Sequence, residues 1–484
     1  MIEAVAETTK QKLVFKTQES VRVRFAPSPT GYFHIGSART ALFNYLFAKH
    51  NGGALILRIE DTDKERSKPE FTEDIIESLK WLGIEWEEGP YFQSERISIY
   101  KNYLEKLLEE GKAYYCFCTP EELEAKRQEQ MGRGIAPIYD GKCADLPLEE
   151  AKEKIKKGEN AIIRFKILPK KVHFNDLVRG KIEFDTSLIG DVAIAKDLET
   201  PLYNFSVVVD DYEMKISHVI RGEDLMPNTP KQILLQEALG FNRVEYGHLP
   251  LILGSDRSKL SKRDGATSLR DYRDEGYLPE AFINFLAFLG WNPGTEKEIF
   301  TLNDLIKEFS IEKVQKSGAI FNLEKLTYLN GFYIRHLSLG ELTELCLPYF
   351  DKEINKEYLK KAISLYHERL KKISEIGELV DYFFKDKLEY ESELLIWKKS
   401  NKEEVKDSLD KTIKVLSETG DWNMKNIEAS LVALAEEIGD RGRVLWPLRV
   451  ALSGKKASAG PFEIAEVLGK EKTIKRLQEA IKLL

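Results

Sequence analysis

The segment FAPSPTGYFHIGS, Phe25 to Ser37, sets two prolines and a glycine just ahead of a histidine, and helical spacing begins directly after it. His34 stands one or two residues before that helix, where free backbone N–H groups and the positive end of the helix dipole favour an anion. Gly31 and Gly36 let a ligand come close to the backbone. Lys259, Lys262 and Arg263 in KLSKR make a second cationic cluster, in a glycine-flanked loop far along the chain. Brought to one sheet edge, the two loops would hold a triphosphate between them. Sulfur forms a third group: Cys116 and Cys118 face the same side of an extended segment, and Cys143 with Asp145 or Tyr139 completes four candidate zinc ligands.

These residues need a scaffold. VRVRF from Val21 alternates as a strand does, and APSPTG is turn chemistry. Ala38, Ala41, Leu42, Tyr45 and Leu46 recur at helical spacing, NGG stops the pattern, and ALILRIEDTD reads as a buried strand. Strand, loop, helix, strand is the unit of a parallel sheet, whose ligands sit beyond the carboxyl ends of the strands. The rhythm lapses from about Tyr115 to Leu202, where a polar helix over Pro120 to Gly132 and strand-like AIIRFKI and GKIEFD suggest a domain inserted into the first. Alternation resumes with YNFSVVVDD, strand-like ISHVIRG, helical NTPKQILLQEALG and the apolar run HLPLILG. Beyond Asp271 the pattern is helical almost throughout.

A chain of 484 residues exceeds a single core, so two to four domains are expected. Four cysteines are too few and too scattered for a secreted disulfide framework. The first twenty residues lack the composition of a leader, and no run has the length of a membrane span. A cytoplasmic protein is expected. A formal charge of −7 argues against a generally basic surface while leaving local basic patches open.

PSPTGYFHIGS followed by KLSKR resembles the two signature motifs of class I aminoacyl-tRNA synthetases. ARTALFNYLFA, RIEDTD, YNFSVVVDD, HVIRGEDLMPNTPKQ, SKRDGA, LAFLGWNP, FNLEKLTYLNG and PLRVALSGKKASAGPFEIAEVLG resemble the bacterial glutamyl branch in particular. The likeness spans nearly the whole chain. Ser37 stands where the general motif has a second histidine, and Leu260 and Arg263 vary the second motif; both departures resemble the glutamyl branch.

The resemblance implies an α/β, Rossmann-like catalytic domain in two halves (21–114 and 203–255), split by an inserted α+β acceptor-stem domain (115–202). An extension over 1–20, a KLSKR loop with a helical stem-contact domain (256–330) and an all-α anticodon-binding region (331–484) complete it. It implies ATP-dependent attachment of L-glutamate to its tRNA through a glutamyl-adenylate, by a monomer, with Mg²⁺ on the triphosphate. His34 and Lys262 would be catalytic. Pro27, Ser28, Gly31, Gly36, Ser37, Asp224, Lys259, Leu260, Ser261 and Arg263 would join them around ATP. Telling glutamate from glutamine calls for a charged site, and arginine's fork suits a carboxylate. Arg24 and Arg221 match the family's amino-acid-binding arginines, with Glu60 for the ammonium and Ser28 and Tyr203 lining the pocket. Some members hold zinc with a similar C-x-C and later Cys. The basic stretches GKK, GKEKTIKR and DRGRVLWPLR would meet the anticodon arm. A form that also charges glutamine tRNA, and an inactive RNA-binding paralogue, are the alternatives.

Overall fold

The computed structural model describes residues 20–260, 268–350 and 354–484. All but the last residue of the expected N-terminal extension lies outside them, as do Ser261, Lys262 and Arg263. The strands of the two larger sheets, in chain order, are β1 (Arg22–Phe25), β2 (Ala54–Ile59), β3 (Glu88–Phe92), β4 (Ala113–Cys116), β5 (Ile162–Phe165), β6 (Lys171–Asp176), β7 (Gly180–Asp185), β8 (Val192–Asp197), β9 (Thr200–Pro201), β10 (His218–Gly222) and β11 (Glu245–Leu249). Seven of them form one sheet, ordered β3-β2-β1-β10-β11-β6-β7. Neighbours from β3 through to β6 are parallel, and β7 closes the edge antiparallel to β6.

Strand order reverses between β1 and β10. From β1 the chain steps outward to β2 and β3 on one side, and from β10 to β11 on the other, so the connections leave a crevice beyond the carboxyl ends of β1 and β10. The helix Ile35–His50 carries the chain from β1 to β2. Its Ala38, Ala41, Leu42, Phe43 and Leu46 are fully buried, which is why the segment is apolar on more than one face. The helix Thr229–Leu239 connects β10 to β11. YNFSVVVDD folds as the helix Tyr203–Glu213, burying all three valines and turning Asp210 and Asp211 inward. Packing outweighs the modest helical cost of β-branched residues.

The middle segment does not stand apart. β4, β5, β8 and β9 form a separate antiparallel sheet, and the helix over Pro120–Gly132 forms with a Thr119–Glu122 capping box. The β6–β7 hairpin, however, joins the large sheet through Asp176 opposite Tyr246. Tyr115, Ile163 and Ile194 share one apolar cluster with Ile56, Phe205 and Val219.

The chain divides into two compact units, Met1–Asp271 with Phe282–Asn322, and Tyr272–Ala281 with Leu323–Leu484. The second contains helices and no strand among its described residues. Leu409, Leu431, Leu448, Ile464 and Leu477, one from each of its last five helices, are fully buried in a common core. No helix among the described residues is long and apolar enough to cross a membrane.

Candidate active site

A cavity of about 1210 Å³ opens at the crevice between β1 and β10, larger than the roughly 300–1,000 Å³ of a typical small-molecule site. Arg24 from β1, Arg221 from β10, Glu60 just past β2 and Tyr203 at the start of its helix line one part of it. Pro27, Gly31, His34, Gly36 and Ser37 line another, facing Asp224, Lys259 and Leu260. Ser28 is exposed and outside the lining.

Backbone hydrogen bonds hold the first loop. Glu60 N–H donates to the Pro27 carbonyl at 3.0 Å and Lys68 N–H to that of Pro29 at 3.1 Å, while Asp74 accepts from Phe33 N–H at 2.7 Å. The prolines fix φ on either side of Ser28. His34 caps the helix, its Nδ1 accepting from Ser37 N–H at 3.3 Å. The ring lies over Gly36, where a Cβ would come within 3.1 Å of it, so any larger residue there would push the imidazole aside by a few tenths of an ångström. Gly31, by contrast, faces open space. Desolvation, with the Lys259 ammonium nearby, holds the His34 pKa below its ordinary value, leaving a neutral imidazole able to donate one hydrogen bond.

The second loop arrives beside the first. Leu260 N–H donates to the Ile252 carbonyl at 3.0 Å, and after residues 261–267 the chain returns with Leu269 N–H on the Phe33 carbonyl at 2.8 Å. Ser268 pairs with His34, and Lys259 Nζ stands 3.6 Å from Asp224.

Beneath the arginine end lies a buried charge cluster. Asp211 accepts from Arg24 Nε at 3.1 Å and Arg58 Nη1 at 2.8 Å, and Glu60 accepts from Arg58 Nη2 at 3.1 Å. Asp210 gathers Gln93, Arg96 and Tyr100 at 2.7–2.8 Å. Burial would raise the Asp211 pKa, but Arg24 and Arg58 outweigh it and hold the carboxyl ionised. For Glu60 burial wins, and its pKa is raised against the pull of Arg58 and Arg24. Arg58, Asp210 and Asp211 are not among the expected site residues. The one local signal was spacing: Arg58 and Glu60 are two apart on an extended segment and face the same side.

Arg221 differs from Arg24. It is 3% exposed, and its three bonded donors reach neutral side chains: Nε to His248 Nε2 at 3.2 Å, Nη1 to Gln232 Oε1 and Nη2 to Thr229 Oγ1, both at 2.9 Å. No carboxylate of the described residues is in ion-pair contact with it. Of five guanidinium N–H groups, two have no partner among the described residues, and the side chain lines the cavity.

Away from the cavity, Cys116, Cys118 and Cys143 bring their sulfurs within 4.8 Å of one another. The Tyr139 hydroxyl lies 3.3 Å from Cys116 Sγ and 3.4 Å from Cys118 Sγ. Asp145 does not join the cluster, so of the two candidates for the fourth position the fold brings in the tyrosine. The Cys118–Cys143 separation of 3.8 Å equals the edge of a tetrahedron with Zn–S bonds of about 2.3 Å. Burial opposes ionisation of Cys116, but hydrogen bonds from Tyr139 and Arg164 prevail and lower its pKa. Burial pushes Cys118 up to about 11. The donor set fits zinc.

Residues 20–328 match the family model of class I tRNA synthetases (E and Q), catalytic domain, and residues 341–481 match an anticodon binding domain. The chain is 47% identical to glutamate–tRNA ligase 2 of Thermoanaerobacter pseudethanolicus over 469 residues, covering 95% of this chain and 98% of the relative. It is 45% identical to the glutamate–tRNA ligase of Bacillus subtilis, covering 95% and 99%. A solved glutamate tRNA ligase from Elizabethkingia meningosepticum, in complex with its amino acid, superposes with a TM-score of 0.86 at 38% identity, covering 96% of this chain and all of that one. The chain therefore belongs to the glutamate–tRNA ligase family of class I aminoacyl-tRNA synthetases.

Proposed function

We propose that the cavity joins L-glutamate to ATP and passes the activated amino acid to the terminal ribose of glutamate tRNA. The carboxylate attacks the α-phosphorus, pyrophosphate leaves, and a ribose hydroxyl of tRNA then displaces AMP. Catalysis rests on orientation and on cations placed where phosphate charge develops, so no protein nucleophile is needed. His34 and Lys259, with Lys262 and Arg263 of the same loop, take the phosphates, and Pro27, Gly31, Gly36, Ser37, Asp224 and Leu260 shape the nucleotide's berth. Arg24 and Arg221 take the substrate's carboxylates, Glu60 its ammonium, and Tyr203 packs beside them. Mg²⁺ bound with the triphosphate would neutralise part of the negative charge on the departing pyrophosphate.

One observation carries the reading. A buried guanidinium without a carboxylate partner, opening on a cavity, is costly unless a ligand anion completes it. Arg221 is such a group, and a carboxylate is the shape to which two parallel N–H groups donate.

The acidic side chain is selected at Arg24 and Arg221, the tRNA by residues 115–202 at the acceptor stem and by the helical region 331–484 at the anticodon, and the enzyme works as a single chain in the cytoplasm. Zinc held by Cys116, Cys118, Cys143 and Tyr139 would tie the end of β4 to the 139–143 loop, a structural service with no step in the reaction. Protein purified without added zinc should carry about one equivalent; well under one removes the metal. The deciding experiment is aminoacylation of purified glutamate and glutamine tRNAs with labelled glutamate. Charging of neither overturns the proposal, and charging of both identifies a non-discriminating enzyme.

A further inference from the structure

Behind Arg221 lies a second buried pair that the reaction does not consume. His248, on β11 and fully buried, faces Asp176 at the end of β6. Its Nδ1 is 2.6 Å from Asp176 Oδ2, and its Nε2 is 3.2 Å from Arg221 Nε and 3.1 Å from Thr229 Oγ1. The other Asp176 oxygen accepts three backbone N–H groups, from Val178 at 3.0 Å, Arg179 at 2.8 Å and His248 itself at 3.2 Å.

These contacts allow one protonation pattern. An arginine Nε–H can only donate, so His248 Nε2 must offer a lone pair and the ring proton must sit on Nδ1, directed at Asp176. A proton on Nε2 would aim one donor at another. Asp176 can impose the choice because, ionised, it has only acceptors. Burial of His248 and the adjacent Arg221 charge keep the ring neutral against the pull of Asp176. Thr229 accepts from Arg221, and its own hydroxyl proton reaches Nε2 only by sharing the single lone pair that Arg221 Nε–H uses.

We propose that Asp176 and His248 are positioning residues for Arg221: Asp176 locks the imidazole tautomer, and the imidazole fixes the angle at which the guanidinium presents its two free N–H groups to the substrate carboxylate. This rests on the reading of Arg221 as a glutamate-binding residue. A fork rotated about its Nε contact can still attract an anion but loses the parallel pair of bonds that tells a carboxylate from a carboxamide.

Asp176→Asn tests the pair with little change in shape. The amide has one oxygen, which the three backbone N–H groups claim, so its NH₂ turns to His248 Nδ1 and drives the ring proton to Nε2. In the full-length enzyme the KM for glutamate should rise about 10- to 100-fold, the scale typical of outer-sphere partners. KM for ATP and kcat should stay within about threefold, and the preference for glutamate over glutamine should fall. Ring ¹⁵N signals of labelled histidine, assigned by their loss in His248→Gln, should change from the Nδ1–H to the Nε2–H tautomer. His248→Gln, whose amide offers N–H to Asp176 and a carbonyl oxygen to Arg221, should keep glutamate KM within about threefold, whereas His248→Leu should not. A switched tautomer with unchanged glutamate KM in Asp176→Asn overturns the proposal, as does equal KM in the Gln and Leu variants. Near-normal glutamate KM in Arg221→Met would instead overturn the reading of Arg221 itself.

Discussion

Arg221 in the α/β unit and Arg476 in the helical unit are buried to the same degree, 3% and 2% exposed, and neither has a carboxylate in ion-pair contact among the described residues. Their donors end differently. Arg476 reaches the backbone carbonyls of Leu452, Tyr382 and Lys385 at 2.5–2.8 Å, closing orphan acceptors in the last turns of two helices and at the residue just past the end of one of them. Arg221 spends three donors on side chains and keeps two for a cavity. A buried cation without a counter-ion is therefore no sign of a binding site in itself; what its remaining donors face decides the matter. Arg476 also departs from the expectation for GKEKTIKR: the fold buries it, so of that basic stretch it offers no charge to an RNA.

Replacing each arginine in turn separates the two roles. Arg221→Met should lower kcat/KM for glutamate by about 10³-fold, roughly 4 kcal/mol, with a smaller fall in melting midpoint than Arg476→Met, because removing a buried cation that lacks a counter-ion offsets the loss of three bonds to side chains that can turn to other partners; aminoacylation kinetics beside calorimetry measure both, and parental kinetics would erase the contrast. Arg476→Met should do the reverse. Three carbonyls left without a donor cost about 3 kcal/mol, lowering the midpoint of the helical unit by about 6–12 °C while glutamate KM holds.

Finer probes sharpen the substrate side. Because the Glu60 pKa is raised, its carboxylate, and with it ammonium binding, is present above that value and lost as pH falls through it. Glutamate KM should thus start to climb at higher pH than a carboxylate near about 4.3 would give, and Glu60→Gln should show a high KM that no longer responds to pH. By the same shift, burying Glu60 costs stability at neutral pH and less on acidification, so the Gln variant should not melt earlier at pH 7. Thr229→Val, which removes one of three neutral acceptors from Arg221, should raise glutamate KM by only about threefold to tenfold and leave the midpoint nearly unchanged; an effect as large as that of Arg221→Met would mean that Thr229 itself meets the substrate.

Much of this site was legible in the sequence because its parts are local. Pro27, Gly31, His34 and Gly36 sit in one short stretch, a loop and the first turn of the helix after it, whose turn chemistry announces itself, and Arg24, Glu60 and Arg221 lie at or just past the ends of strands that alternation marks. What stayed hidden depends on partners far apart in the chain. Arg24 and Arg58 meet Asp211 across 187 and 153 residues, and Asp176 meets His248 across 72; nothing in VHFND or EYGHL signals a partner. The triple valine of YNFSVVVDD suits a strand by propensity and becomes a helix because three elements bury it. The reach of the middle segment was hidden too, since a single paired position, Asp176 with Tyr246, moves a hairpin from one sheet to another.

That hairpin limits how the enzyme can be rebuilt. A segment bounded by 115 and 202 invites treatment as a cassette, to be excised for a minimal enzyme or exchanged between relatives. Excision would strip two strands from the large sheet, expose the hydrogen-bonding edge of β11 to self-association and remove Asp176 from behind Arg221. A workable graft keeps residues 171–185 with the host and exchanges only the flanking pieces, so the natural seam for recombination runs inside the segment and not at its ends.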